Sequence, residues 1–112
     1  MRIVDAEQAH AFREGFAAVL LNGKWGFVNR AGALVIPATL EEPGPFSEGL
    51  AVAGPPGKLY YIDTHGKTVL PGPYREATPF VHGLAAVRRG AREVEYIQKS
   101  GRAVFRYTTG GK

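Results

Sequence analysis

Cysteine is absent from the 112-residue chain, which excludes a disulfide framework and a metal site built on thiolates. Long apolar segments are absent as well, because the longest apolar run, Phe16–Leu21, is far too short to span a bilayer. The N-terminal segment carries Asp5 and Glu7 and has no apolar stretch of signal-peptide length. These absences predict a soluble protein of the cytoplasm without a membrane span.

The residue patterns that mark enzymes and metal sites are also missing. No Gly-x-x-x-x-Gly-Lys-Ser/Thr phosphate loop occurs, and Ser47 and Ser100 stand in no motif of an activated nucleophile. The histidines His10, His65 and His82 have no partners at ligand spacing. We therefore predict a protein that is not an enzyme, with no catalytic residues, no cofactor and no metal. The alternative is an enzyme whose site is assembled from loop residues.

What the chain does contain is a repeated motif, Phe-x-x-Gly, which begins at Phe12, Phe46 and Phe80 with a spacing of 34 residues. A fixed period of this size is typical of repeat architectures, in which one supersecondary unit is stacked on the next. The spacing divides the chain into repeats 12–45, 46–79 and 80–112, preceded by a partial unit 1–11. We expect these parts to form a single domain over residues 1–112, whose 45% hydrophobic content suffices for a core.

Each repeat contains three short segments with strand character. An apolar run begins at Phe16, Leu50 or Leu84, the second strand covers 24–28, 58–62 or 94–97, and the third covers 34–36, 68–70 or 103–105. Asn22 and Gly23 predict a type I′ hairpin turn between the first two strands. Pro37 and Pro71 are expected to end the third strand, because proline cannot donate to the ladder. The pattern predicts an all-β fold of about three tandem three-stranded antiparallel meanders in an open stack, solenoid-like or similar to a propeller fragment.

The second turn and two other positions have structural interpretations. Asn29 and Asp63 begin turns that end in glycine, and their side chains are expected to accept hydrogen bonds from the backbone two residues on, which Gln98 does less well. Glu14 and Glu48 occupy equivalent positions, which favours a structural role such as capping a loop over a catalytic pair. Gly26 leaves space for a backbone or an aromatic ring to approach.

Aromatic residues recur in register with the repeat and are interpreted as its core. The predicted core residues are Phe12, Phe46, Phe80, Trp25, Phe27, Tyr61 and Tyr96.

The N-terminal segment is less regular. The spacing of its apolar residues favours a helical turn at most in residues 5–11. By the 34-residue register, Met1 aligns with Val35 and Val69, inside a third strand. We expect either that the chain is cut from a longer array or that a strand near residues 2–4 completes the sheet of another unit. An open stack leaves unpaired strand edges, so self-association is a further expectation.

Basic residues are concentrated in the last repeat. Residues 80–112 contain seven Lys or Arg against two Asp or Glu, whereas residues 1–79 contain seven against eight. The candidate anion-binding residues are Arg88, Arg89, Arg92, Lys99 and Arg102, with Arg106 nearby. Such a cluster is either an ordinary solvated surface or a site for an anionic partner such as nucleic acid, an acidic protein face or a membrane surface.

Two phrases resemble a known family. Phe-x-Glu-Gly followed by Leu or Phe and Ala, together with the Gly-Lys-Trp-Gly-Phe-Val-Asn segment around Trp25 and Gly26, is similar to the WG (or KWG) β-repeat family of bacterial proteins. The second repeat has Leu59 and Tyr60 in place of the Trp-Gly pair, and the third has lost the pair. The resemblance implies an interaction or scaffold module whose partner is another protein or a second copy of the chain, and it supplies no catalytic residues.

Overall fold

The computed structural model describes residues 6–108, which contain strands and no helix. The strands are β1 (Gln8–Ala9), β2 (Phe16–Leu21), β3 (Lys24–Asn29), β4 (Leu34–Leu40), β5 (Ala51–Ala53), β6 (Leu59–Ile62), β7 (Thr68–Tyr74), β8 (Glu76–Ala77), β9 (Leu84–Arg88), β10 (Glu93–Gln98) and β11 (Ala103–Thr108). The prediction of an all-β fold is confirmed.

Three antiparallel sheets follow one another along the chain. Their strand orders are β1-β2-β3-β4, β5-β6-β7 and β8-β9-β10-β11, so each sheet is a meander of neighbouring strands. The sheets form an open, elongated stack that measures 55 × 26 × 20 Å. The predicted three-stranded unit is therefore present three times, and the structure adds a short fourth strand, β1 or β8, to the first and third sheets.

The fourth strand corrects the expectation of a helical turn near the N-terminus. Within the described part of that segment, Gln8 and Ala9 pair with Leu20 and Val19 of β2. The polar side chains of this segment do not alternate with apolar ones, so the sequence does not predict a strand. The strand forms because its backbone pairs with β2. The predicted strand near residues 2–4, and position 5 of the proposed helical turn, lie outside the described residues.

The Phe-x-x-Gly motif forms a two-residue hairpin turn of type I′. In the first repeat Glu14 and Gly15 have φ angles of 53° and 86°, and Arg13 and Phe16 exchange backbone hydrogen bonds of 2.8 and 3.0 Å. Both central positions of this turn require positive φ, which glycine adopts without cost. The second and third repeats repeat the geometry, because the motif itself is repeated.

The predicted turn after the second strand is confirmed in detail. The Asn29 carboxamide oxygen accepts 3.0 Å hydrogen bonds from the amides of Ala31 and Ala33, and Asp63 makes the same pair of bonds to His65 and Lys67. The third repeat keeps the backbone turn from Gln98. In residues 6–108 no backbone amide donates to the Gln98 side chain, whose extra methylene moves the acceptor away from the turn.

The prediction that Pro37 and Pro71 end the third strand is wrong. Strand β4 passes through Pro37 and β7 passes through Pro71, each as a bulge in which three residues lie opposite one. Both strands are hydrogen-bonded on one side only, so a proline inside the bulge removes no ladder bond.

The expected close approach at Gly26 is confirmed: a Cβ there would lie 2.9 Å from the Ala38 nitrogen, within the bulge of β4.

The hydrophobic core lies between consecutive sheets. One cluster joins the first sheet to the second through Ala18, Trp25, Phe27, Ile36, Phe46, Ala51, Ala53 and Ile62. A second cluster joins the second sheet to the third through Leu50, Tyr61, Leu70, Tyr74, Phe80, Ala85, Val87 and Ile97. The alanines on the first strand of each unit allow neighbouring sheets to approach closely. Each repeat is therefore held by its neighbours, as expected for a solenoid-like stack.

Five of the seven predicted core residues are buried, namely Trp25, Phe27, Phe46, Tyr61 and Phe80. The prediction is wrong for Phe12, which is 47% exposed, and for Tyr96, which is only half-buried. Both residues belong to outer repeats, and among the described residues no further sheet covers the corresponding faces. The repeat register correctly identified Phe12 and Tyr96 as equivalents of the buried Phe46 and Tyr61. Whether such a residue is buried depends on a neighbouring sheet that covers it.

Candidate interaction surface

Three aromatic side chains of the third repeat form an exposed cluster, which we call the terminal aromatic face. It consists of Tyr96 on β10 and of Phe105 and Tyr107 on β11, with ring centroids 6.0 to 6.4 Å apart. Phe105 is 59% exposed and Tyr107 is 43% exposed. Residues two apart on a strand share one face of the sheet, which explains why these rings lie together.

The corresponding face is buried in the other two repeats. Strand pairing places Tyr96 and Phe105 where the second repeat has Tyr61 and Leu70. Tyr61 is completely buried there, and its ring lies 5.1 Å from that of Phe80, the first residue of the next Phe-x-x-Gly motif. Burial raises the pKa of Tyr61, whose hydroxyl donates to the Thr78 carbonyl oxygen at 2.7 Å.

The first two repeats meet through the same kind of contact. The Phe46 ring lies 4.7 Å from Phe27 and 5.1 Å from Phe16. The phenylalanine of each following motif thus packs on the aromatic side chain of the preceding sheet. Phe12 occupies the equivalent position in the first repeat, where it is exposed.

A second contact between repeats is made by carboxylates. Glu14 accepts hydrogen bonds from the amides of Glu48 and Gly49 at 2.7 and 3.0 Å, and Glu48 accepts from the Gly83 amide at 2.8 Å. The Gly83 N–H, aided by the His82 N–H and by Lys99, holds the pKa of Glu48 below its ordinary value of 4.5, although burial opposes this. The predicted capping role of Glu14 and Glu48 is confirmed, and the third repeat has His82 at this position.

The candidate anion-binding residues do not come together. Arg88, Arg89 and Arg92 lie at one end of β10, whereas Lys99 and Arg102 lie at the other, roughly 17 Å away by the rise per residue of a strand. Three of them pair with carboxylates: Arg88 with Glu76 at 3.2 Å, Arg89 with Glu95 at 3.2 Å and Lys99 with Glu48 at 3.5 Å. The geometry therefore divides the predicted basic group into two smaller, partly neutralised ones.

A groove of about 640 Å³ runs beside the second repeat, and its lining includes Glu41, Glu42, Gly44, Gly54, Pro56 and Glu76. Its carboxylates are already paired, since Glu41 lies 3.1 Å from Lys24 and Glu42 lies 2.8 Å from His10. Within residues 6–108, no group of three or more His, Asp or Glu side chains is arranged to hold a metal ion. The described residues also contain no helix that could cross a membrane.

A family model described as "WG containing repeat" matches residues 7–25, 25–53 and 61–91, well over half of the chain. The chain belongs to the WG-repeat family. The matches 25–53 and 61–91 each begin in the second strand of one repeat and end in or just after the first strand of the following repeat. The repeat unit of the family model is therefore offset from the unit that starts at Phe12. Strands β10 and β11 lie beyond the matched residues, where the chain departs most from the WG-repeat pattern. No curated protein matches the chain.

Sequence reasoning missed Phe105 and Tyr107 as surface residues of the last WG repeat. The spacing of Phe105 and Tyr107, two residues apart on a strand, did indicate that they share one face. Recognising their exposure also required knowing that, within the described residues, no further sheet follows the third one.

Proposed function

We propose that this chain is a non-enzymatic β-repeat module that binds protein through the terminal aromatic face. The observation that carries this proposal is the exposure of Phe105 and Tyr107 at positions whose equivalents, Leu70 and Tyr74, are buried by the next repeat. Exposed aromatic clusters mark protein contact sites, because tyrosine and phenylalanine bury a large area at low entropic cost. The absence of catalysis is part of the proposal, supported by the use of Glu14 and Glu48 as backbone caps.

The proposal is tested by site-specific photo-cross-linking in the source cell. A benzophenone amino acid replaces Phe105 in one variant and Val104 in a matched control. Val104 is also exposed but lies in the ladder irregularity between Phe105 and Ala103, beside the residue that packs on the core side of the sheet. We expect discrete protein adducts at position 105 and none of them at position 104. The same pattern at both positions, or no adduct at either, would overturn the proposal.

Binding of an anionic partner such as nucleic acid through the third repeat is the alternative. The pairing of Arg88, Arg89 and Lys99 with carboxylates reduces the charge available for it. A salt titration of binding to a random DNA duplex separates the two functions, because phosphate contacts give a steep dependence on salt concentration. A flat response removes the alternative. The cytoplasmic location stays a prediction of the sequence.

A further inference from the structure

We propose that the partner of the terminal aromatic face is the Phe-x-x-Gly turn of the first repeat in a second copy of this chain. The two copies would associate head to tail, with Phe12 packed on Tyr96 and Phe105. This inference rests on the proposed function, because it names the partner of the same surface. It extends the inter-repeat contact of the chain to a contact between chains.

The internal interfaces supply the geometry of this contact. Phe46 packs on the first sheet and Phe80 on the second, each 34 residues after the preceding motif and each almost fully buried. Within residues 6–108, no sheet precedes Phe12, and no motif phenylalanine packs on the equivalent surface formed by Tyr96 and Phe105. The residues of the first sheet equivalent to Ala51, Ala53 and Ile62 are Ala17, Val19 and Val28, which are already buried within the chain, so the contact is made by the turn alone.

The backbone of the same turn also lacks its inter-repeat partner. The amides of Glu48 and Gly49 donate to Glu14, and the amide of Gly83 donates to Glu48. Among residues 6–108, no acceptor is hydrogen-bonded to the amides of Glu14 and Gly15, which occupy the equivalent positions in the first repeat. In the proposed contact these two amides face position 82 of the other copy, where a neutral histidine nitrogen can accept one hydrogen bond.

The charges favour a head-to-tail arrangement over a two-fold one. Residues 80–112 contain seven Lys or Arg against two Asp or Glu, whereas the first repeat, residues 12–45, contains three against three. Joining the first repeat to the third therefore places a neutral repeat against a basic one. A two-fold dimer through the terminal aromatic face would instead bring two strongly basic repeats together, which is unfavourable. A head-to-tail contact does not close on itself after one step, so it produces chains whose length grows with concentration.

The first test is sedimentation velocity of the purified chain over a range of concentrations. We expect the weight-average mass to rise continuously with concentration. Phe12→Ser and Phe105→Ser should each lower the apparent association constant by about tenfold or more, because each removes a phenylalanine from the contact. Val104→Ser, at the neighbouring exposed position outside the terminal aromatic face, should leave it unchanged. A single-chain mass throughout the range, or equal effects of Phe105→Ser and Val104→Ser, overturns the proposal.

The second test uses the absence of cysteine, which makes introduced thiols unique. Glu14→Cys and His82→Cys are made in separate chains, and thermal unfolding establishes that both remain folded. Oxidation of the mixture should yield the disulfide between positions 14 and 82, whereas neither variant alone should cross-link efficiently. A cross-link that joins two copies of position 82 would show a two-fold contact and overturn the head-to-tail arrangement.

His82→Glu provides a gain-of-function control. Glu14 and Glu48 each cap the Phe-x-x-Gly turn of the following repeat, and a glutamate at position 82 would cap the same turn in the other copy. Association should therefore tighten by about fivefold or more. Unchanged or weaker association would contradict the proposed register. If the purified chain stays monomeric while the benzophenone at position 105 captures a different protein, self-association fails and the proposed interaction function stands.

Discussion

The motif phenylalanines allow one substitution to be made at three equivalent positions. Phe12, Phe46 and Phe80 immediately precede the same type I′ turn in successive repeats, but within residues 6–108 only the last two have a preceding sheet to pack on. Phe12→Ala, Phe46→Ala and Phe80→Ala therefore compare the same chemical change with and without an inter-repeat contact. The local turn is the same in all three, so any difference in stability comes from the stacking of repeats.

The expected magnitudes follow from burial. Phe46 and Phe80 are 2% and 0% exposed, and removal of a buried phenylalanine side chain costs about 3–5 kcal/mol. Phe46 contacts two aromatic rings and Phe80 one, which places Phe46→Ala at the upper end of the range. Phe12 is about half exposed and lies in no aromatic pair within residues 6–108. Phe12→Ala should therefore cost only about 1 kcal/mol.

Urea unfolding at low protein concentration measures these differences. With a slope of about 2 kcal/mol per molar urea, the midpoint should fall by about 1.5–2.5 M for Phe46→Ala and Phe80→Ala, and by about 0.5 M for Phe12→Ala. Fluorescence of the single Trp25 and circular dichroism of the sheets should report the same transition. Equal losses at all three positions would refute the conclusion that stability comes from contacts between repeats.

Three further predictions concern the first and second repeats. Trp25→Ala should cost about 3–5 kcal/mol in urea unfolding, and an unchanged melting temperature would contradict its place in the core. Gly26→Ala should cost about 3 kcal/mol because the added methyl group meets the backbone of the β4 bulge, whereas Gly90→Ala, with open space around it, should change stability by less than about 1 kcal/mol. Glu48 has a lowered pKa in the folded state, so its contribution is complete above its ordinary pKa of 4.5 and is lost as the pH falls through the lower folded value. Unfolding free energies measured between pH 2 and 7 should therefore fall less in Glu48→Gln than in the unchanged chain, and parallel profiles would refute this.

Much of the fold follows from the sequence because its local signals agree with the period. The Asn22–Gly23 pair and the turns beginning at Asn29 and Asp63 need particular φ angles, and few residue types supply them. The equivalence of Glu14 and Glu48 likewise predicted a shared structural role. These features depend on a few neighbouring residues or on one repeated spacing, which a single sequence displays directly.

The features that were missed depend on neighbours in space. Burial of Phe12 and Tyr96 could not be deduced from the repeat alone, since it depends on whether another sheet covers their face. The division of the basic residues follows from the length of β10, which separates Arg89 from Lys99. Their neutralisation involves Glu48 and Glu76, which come from outside the third repeat of the sequence register. Contacts of this kind carry no signal in composition or period.

The Trp-Gly pair itself can be explained by the bulge that it faces. Gly26 lies opposite the bulge of β4 and leaves room for its backbone, while the preceding tryptophan packs in the inter-repeat core. In the second repeat the residue opposite the bulge is Tyr60, and the glycine has moved across the strand pair to Gly72, where a Cβ would lie 2.6 Å from the Tyr74 nitrogen.

The third repeat has Glu95 opposite Arg106, with glycine at neither position. There the strands pair residue against residue from 93 to 96, and the bulge is gone. Without the bulge, Phe105 and Tyr107 are two residues apart and share one face, whereas Ile36 and Leu40 are four apart. The regular pairing of residues 93 to 96, at positions without glycine, places two aromatic rings side by side on the terminal aromatic face.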